Sequence, residues 1–198
     1  MSRLLESIRC ENGALQNLPF HQARMDASVM ALFAIENRLC LEDVEVPADC
    51  KAGLYKCRVT YGESLQSVEF QPYRRREIRS LRLVTDDAID YAHKYADREA
   101  LQRLLETRGD CDDILIVKEG RITDTSYSNV ALFDGKQWCT PARPLLCGTQ
   151  RERLIAEGVV SPADIRADEL ERFQTIRIIN AMIRFEDRCD IPLERLVR

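Results

Sequence analysis

The chain has 198 residues, with 29 Lys+Arg against 33 Asp+Glu for a net charge of −4, eight cysteines, eight glycines and two histidines. At 45% hydrophobic and 31% charged it can bury a real core, which excludes disorder. No apolar run reaches the roughly 18 residues of a membrane span, Glu6 arrives too early for a signal peptide's apolar stretch, and the acidity argues against general nucleic-acid binding, so a cytoplasmic protein with neither membrane nor nucleic-acid partner is expected.

In chain order, Met25, Val29, Leu32, Phe33 and Leu39 recur at helical spacing and predict an amphipathic helix over 21–39, preceded by Pro19. The period then changes to two. Residues 54–61 place Tyr55, Cys57, Val59 and Tyr61 on one face and Lys56, Arg58 and Thr60 on the other, a half-buried antiparallel strand. Segments 67–71 and 77–84 read as further strands of the same sheet, with a subdomain boundary after Val84 that divides the chain into 1–84 and 85–198. Arg74, Arg75, Arg76, Arg79 and Arg82 read as a solvated strand edge in preference to an anion site.

The second half restarts with a helix over 98–107, capped by Asp97 and stopped by Gly109. Strands over 113–117 and 121–123 turn at Glu119-Gly120, and strands over 129–133 and 137–140 turn at Asp134-Gly135. A helix over 150–157, a short helix over 163–173 and a strand over 174–179 follow. The sum is an α+β fold of two subdomains with antiparallel or mixed sheets.

Several chemistries lack their residues. No two cysteines stand at C-x-x-C spacing, and the eight read as reduced, mostly buried thiols; two histidines leave no histidine-rich metal site, and no metal is expected. The glycines form no G-x-G, no P-loop and no G-x-S-x-G elbow. Lysine says more. Against 24 arginines there are five lysines, and Lys51, Lys56, Lys118 and Lys136 fall in loops, beside turns or on a polar strand face. Lys94 stands between Tyr91 and Tyr95, just ahead of a helix start. A lysine among apolar neighbours can lose its proton and attack carbonyls, as Schiff-base chemistry requires; the same placement also suits a snorkelling side chain. The stretch Thr123-Asp124-Thr125-Ser126-Tyr127-Ser128-Asn129 packs four aliphatic hydroxyls, a phenol, a carboxylate and an amide into seven residues, a polar turn or a binding surface for a phosphorylated pyridine. In Gly148-Thr149-Gln150-Arg151 a glycine precedes a helix whose first N–H groups suit phosphate, or the segment is a plain helix start.

In this order the segments resemble the class IV aminotransferase family, the pyridoxal-phosphate enzymes of fold type IV, the D-amino acid aminotransferase-like fold. Leu5-Glu6-Ser7-Ile8-Arg9 is similar to the family's F-E-T-I-R, which in longer members follows an N-terminal hairpin; His21-Gln22-Ala23-Arg24 is similar to its H-x-x-R. Residues 121–129 resemble V-T-E-G-S-S-S-N with Asp124 for the glutamate, and residues 148–151 resemble G-I-T-R with Gln150 for the threonine. The resemblance implies Lys94 as the catalytic lysine that carries pyridoxal 5'-phosphate. It also implies Asp124 at the ring nitrogen, and Arg24, Ser126, Ser128, Asn129, Gly148, Thr149 and Gln150 around the cofactor. It further implies a small-molecule amine substrate and a homodimer. Asn180-Ala181-Met182 resembles the N-A-L turn of 4-amino-4-deoxychorismate lyases, and Arg98, four residues after Lys94, matches their K-T-L-N-R, which puts Arg98, Asn180 and Ala181 on the substrate side. The expected reaction is loss of pyruvate from 4-amino-4-deoxychorismate to give 4-aminobenzoate in folate synthesis. The alternatives are transamination of D- or branched-chain amino acids, and a degenerate non-catalytic member.

Overall fold

The computed structural model describes residues 3–198, which form two compact units. The first runs through Arg75 and takes in His93–Asp97; the second comprises Arg76–Ala92 and Arg98–Arg198.

The first unit is an antiparallel sheet and one helix. Its strands are β1 (Leu4–Glu11), β2 (Ala14–Leu15), β3 (Leu54–Tyr61) and β4 (Leu65–Pro72), in the order β2-β1-β3-β4. β3 covers the residues expected from its alternation, and Cys57, Val59 and Tyr61 lie in the core. β1 is paired residue for residue with β3 from Leu4↔Tyr61 to Glu11↔Leu54. The segment His93–Asp97 is tied to the start of β1, because the Leu5 N–H donates to the Lys94 carbonyl at 2.9 Å and the Ala96 N–H to the Arg3 carbonyl at 2.8 Å. Helix α1 (Leu18–Phe33) buries Met25 and Val29 against Leu4, Ile8, Cys57, Val59 and Tyr61. Burying each such side chain contributes about 1.5–3 kcal/mol.

α1 is three residues earlier at its start than expected and stops well before Leu39. Ala34 adopts the left-handed conformation at φ 56° and donates to the Met30 carbonyl, closing the helix. Leu39 still packs on the core, but by folding back: Gln22 Nε2 donates to the Leu39 carbonyl at 2.8 Å and Gln22 Oε1 accepts from the Leu41 N–H at 2.8 Å. An apolar residue returned by a clip mimics helical spacing in the sequence.

The second unit holds two sheets. Its strands are β5 (Leu81–Thr85), β6 (Asp113–Lys118), β7 (Arg121–Thr125), β8 (Asn129–Phe133), β9 (Trp138–Pro141), β10 (Ser161–Ala163), β11 (Thr175–Ile179), β12 (Asp190–Pro192) and β13 (Leu196–Val197). They are ordered β13-β5-β6-β7 and β10-β9-β8-β11-β12. The β6–β7 hairpin turns through Glu119 at φ 52° and Gly120 at φ 73°, the pair of positive φ values that a two-residue turn matched to strand twist requires. Leu81, Leu115, Val117, Ile122, Val130, Leu132, Ile176 and Ile178 belong to one core.

Four expectations are corrected here. The strand expected over 77–84 begins at Leu81 and joins not the first sheet but β6 and β13, both in parallel. Residues 73–80 are irregular, pinned where Asp112 Oδ2 accepts from the Arg79 and Ser80 N–H groups at 2.8 and 3.1 Å, so the exposed Arg74, Arg75 and Arg76 line no strand. The helix expected over 163–173 is a 3₁₀ stretch confined to Ala167–Arg172. Ahead of it the backbone is claimed by β7, since the Ile122 N–H donates to the Ile165 carbonyl at 2.8 Å. Helix α2 (Glu99–Glu106) has Arg98 rather than Asp97 at its cap, with no side-chain capping bond, and α3 is Thr149–Ala156. All eight cysteines are free thiols, five of them buried. Among the described residues no helix is long and apolar enough to cross a membrane.

Candidate active site

In the first unit the period-2 face of β1 that carries Leu4, Ile8 and Cys10 into the core also carries Glu6, fully buried. Residues His21 and Arg24, three apart on α1, converge on it. His21 Nδ1 lies 2.6 Å from Glu6 Oε2, Arg24 Nε donates to Glu6 Oε1 at 3.0 Å, and Arg24 Nη2 donates to Glu6 Oε2. Burial alone would raise the Glu6 pKa, but the Arg24 charge and the bonds from His21 and Arg24 override it and hold the carboxyl at about 2. Burial pushes the His21 pKa down, with the Arg24 and Lys94 charges acting the same way and Glu6 opposing. The ensemble is a carboxylate and a guanidinium around a histidine biased toward its neutral form.

Lys94 is half-buried, and its carbonyl accepts from the Leu5 N–H, which ties its main chain to β1. Its neighbours His93 and Tyr95 stack edge-on at 5.9 Å, and His93 Nδ1 is 3.1 Å from the Ser28 hydroxyl.

In the second unit, β7 ends and β8 begins around a buried polar turn. Asp124 Oδ1 accepts from Asn129 Nδ2 at 2.7 Å and Asp124 Oδ2 from the Leu146 N–H at 2.9 Å. Asn129 Nδ2 also donates to the Leu146 carbonyl at 2.8 Å. Burial raises the Asp124 carboxyl to about 6 in spite of these bonds. A Cβ on Gly148 would meet Asn129 Oδ1 at 1.8 Å, so the glycine is what lets the start of α3 lie against Asn129. Gly148 caps α3 without any side-chain bond. The helix thus opens with N–H groups that have no acceptor within it, on buried Thr149, Gln150 and Arg151. Gln150 Nε2 is buried with no hydrogen-bond partner among the described residues.

Asn180 Nδ2 donates to Ser128 Oγ at 2.8 Å, while its Oδ1 accepts from the Met182 and Ile183 N–H groups. Arg98 Nη2 donates to the Ser126 carbonyl at 2.5 Å. Within this unit Asp124, Asn129 and Gly148 are therefore brought together, as are Ser128 with Asn180 and Ser126 with Arg98; Ala181 is half-buried in the turn after β11. Arg24 and Lys94 belong to the first unit.

The amino-transferase class IV family profile matches residues 3–185. The chain belongs to the class IV aminotransferase family. It is 36% identical over 185 residues to an uncharacterized protein of Haemophilus influenzae, covering 92% of this chain and 98% of that one. A solved structure from Haemophilus somnus 129pt, provisionally named a 4-amino-4-deoxychorismate lyase, superposes with a TM-score of 0.83 at 30% identity, covering 93% of this chain and 98% of the other. The 4-amino-4-deoxychorismate lyase of Pseudomonas aeruginosa shares the fold, with a TM-score of 0.68 at 20% identity over 100% of this chain and 82% of its own. Class IV aminotransferases are pyridoxal-phosphate-dependent enzymes, and this chain is one by membership.

The residues present suit that cofactor. Asp124 is a buried carboxylate whose neutral donors and the Arg151 charge do not offset its burial, and a protonated pyridine nitrogen would supply the cation that favours its charged form. The start of α3, which has no side-chain cap, and Gln150 Nε2, without a hydrogen-bond partner among the described residues, suit a phosphate. The shorter carboxylate at 124 is set by bonds to Asn129 and Leu146, and the amide at 150 replaces a hydroxyl donor by an N–H donor. Glu6, His21 and Asp113 were not singled out as site residues from the sequence. The signal for Glu6 was present: an acid at a core position of the alternation Leu4, Glu6, Ile8, Cys10.

Proposed function

We propose that this enzyme removes pyruvate from 4-amino-4-deoxychorismate to leave 4-aminobenzoate. The reaction is redox-neutral and its atoms balance with no added water or oxo acid. One hydrogen leaves the ring carbon that bears the amine, the ether bond to the enolpyruvyl group breaks, and the departing three-carbon unit takes up a proton to become pyruvate.

Pyridoxal phosphate, when bound, supplies the electron sink that makes the ring hydrogen acidic. Lys94 Nζ is the group that holds the cofactor at rest and carries the proton from the ring carbon to the leaving unit. Asp124 keeps the ring nitrogen protonated, with Asn129 and the Leu146 N–H orienting its carboxylate. Arg24, the Ser126 or Ser128 hydroxyl, and the N–H groups of Thr149 and Gln150 behind Gly148 anchor phosphate. Arg98 and the turn at Asn180 and Ala181 face substrate. The enzyme acts as a cytoplasmic homodimer in folate synthesis.

The observation that carries the lyase reading is the turn after β11, closed by two N–H donors to Asn180 Oδ1 and bearing the N-A-M sequence that resembles the lyases. The relative of 98% coverage named as such a lyase supports it. Purified protein given 4-amino-4-deoxychorismate should release pyruvate with no oxo acid added; turnover that requires 2-oxoglutarate overturns the reading in favour of transamination. Lys94→Ala should lose the visible absorbance of the holoenzyme and its fixation of cofactor by borohydride. Full retention of that band would overturn the role of Lys94.

A further inference from the structure

The two serines of the buried turn are not equivalent as donors, and the difference lies in where each hydroxyl's single proton goes. A serine hydroxyl carries one hydrogen and accepts through its lone pairs. Asn180 Oδ1 accepts from two main-chain donors, the Met182 N–H at 2.8 Å and the Ile183 N–H at 2.9 Å, and this fixes which end of its amide is oxygen. Its NH₂ group is thereby turned on Ser128 Oγ, 2.8 Å away. Ser128 accepts, so its own proton must be given to something else. Ser128 is 6% exposed, and its hydroxyl donates to no protein acceptor among the described residues.

Ser126 is placed differently. Its hydroxyl and N–H lie beside the carboxylate of fully buried Asp113, where both favour the charged form against the burial that raises its pKa. Among the described residues Asp113 Oδ2 is buried without a hydrogen-bond partner, and a carboxylate only accepts, so an acceptor for the Ser126 hydroxyl lies inside the fold. Arg98 binds the Ser126 carbonyl at 2.5 Å and fixes this part of the turn from the other side. Meanwhile the Ser128 main chain is clamped by Thr125, whose N–H donates to the Ser128 carbonyl at 2.8 Å and whose hydroxyl accepts from the Ser128 N–H at 3.1 Å. The backbone cannot turn the hydroxyl away. Asn129, next in the chain, is the residue that joins Asp124 to the start of α3.

We propose that Asn180 is a positioning residue that sets the polarity of the Ser128 hydroxyl, so that Ser128, and not Ser126, donates to the phosphate of the bound cofactor. This rests on the cofactor placement given above and narrows it to one hydroxyl. A hydrogen bond to a charged acceptor is worth about 1.5–3 kcal/mol, or roughly 10- to 150-fold in affinity.

The test measures dissociation constants for pyridoxal phosphate and for unphosphorylated pyridoxal by absorbance and fluorescence titration, on wild type, Ser128→Ala, Ser126→Ala, Asn180→Asp and the Ser128→Ala/Asn180→Asp double variant. Asn180→Asp retains an oxygen for the Met182 and Ile183 N–H groups but presents an acceptor to Ser128, which reverses the hydroxyl. Ser128→Ala and Asn180→Asp should each weaken pyridoxal phosphate by roughly 10-fold or more while leaving pyridoxal within about threefold. The double variant should be no worse than about threefold below the weaker single one, because both act through one hydroxyl. Ser126→Ala should stay within about threefold of wild type. Multiplying losses in the double variant, equal losses for pyridoxal, or a loss in Ser126→Ala with none in Ser128→Ala overturn the proposal. If Asn180→Asp does not fold, the comparison of the two serine variants still decides. Failure of wild type to bind pyridoxal phosphate would overturn the functional reading itself, whereas normal wild-type binding with an unchanged Ser128→Ala overturns only this assignment.

Discussion

Asp124 makes the cofactor-free protein's stability depend on pH in a direction opposite to that of an ion-paired carboxylate such as Glu6. Its pKa is raised from 3.8 to about 6, first by burial, against the bonds from Leu146 and Asn129 and the Arg151 charge. A carboxyl whose folded pKa lies above its unfolded one takes up its proton earlier in the fold, so folding gains as pH falls through about 6 and the gain is complete below 3.8. Between pH 7.5 and pH 5 the folded form becomes mostly protonated while the unfolded chain stays ionised. The folding equilibrium constant shifts by roughly tenfold, about 1–2 kcal/mol. Asp124→Asn removes the titration, and whatever its asparagine costs beside two donors is the same at both pH values. Urea unfolding of the cofactor-free wild type and variant at pH 7.5 and pH 5 therefore isolates the effect as a difference of differences. Wild type should gain about 1–2 kcal/mol on the variant at the lower pH. In the holoenzyme the gain should vanish, because Asp124 then faces a cation that favours its charged form. Parallel pH dependence of the two cofactor-free proteins would refute the reasoning.

Glu6→Gln should destabilise the first unit by about 3–5 kcal/mol at pH 7, since it leaves Arg24 without its buried carboxylate; circular dichroism during urea unfolding reads the loss. Wild type should itself weaken in acid. The Glu6 contribution is present above the ordinary 4.5 and lost as pH falls toward about 2, and this slope should be absent in the variant; the loss from His21, whose unfolded form takes a proton that the fold resists, should persist there, because Glu6 opposes that resistance. Gly148→Ala should cost about 1–3 kcal/mol by overpacking and should weaken pyridoxal phosphate binding as well, because Asn129 Oδ1, 1.8 Å from the new Cβ, can yield only by breaking its bonds to Asp124 and Leu146. An unchanged urea midpoint and unchanged cofactor affinity would refute that account.

How much of this could be read from residues alone depended on whether the cause was local. β3 alternates cleanly, and the turn at Glu119-Gly120 has the chemistry its two positive φ values require, so both were readable. β1 was not read as a strand because Glu6 and Arg9 interrupt its apolar pattern, although both are buried through partners elsewhere in the first unit or on β1 itself. Sheet membership was less accessible still. The alternation in β5 says that Leu81 and Leu83 share a face, but only pairing with β6, far along the chain, says which sheet receives them. The helix over 34–39 failed because Gln22 clips Leu39 back to the core from a distance of 17 residues, which spacing alone cannot distinguish from another helical turn.

For the candidate site, the residue types were in the sequence and the hydrogen-bond directions were not. The stretch from Thr123 to Asn129 announces itself as hydroxyls, a carboxylate and an amide, and each of these groups can serve an anion, a cation or its own backbone. What separates those uses is the partner already taken. Asn129 spends its NH₂ on Asp124 and Leu146, Asn180 spends its oxygen on two main-chain N–H groups, and Ser126 lies against Asp113. Once those commitments are counted, the Ser128 hydroxyl, the Gln150 amide and the Asp124 carboxylate are among the groups of the described residues with bonding capacity left to offer a ligand. A hydroxyl proton, an amide N–H and a carboxylate match a phosphate at one end of a ring and a protonated nitrogen within the other, which is why a cofactor chemistry suits this unit better than a histidine- or metal-based one.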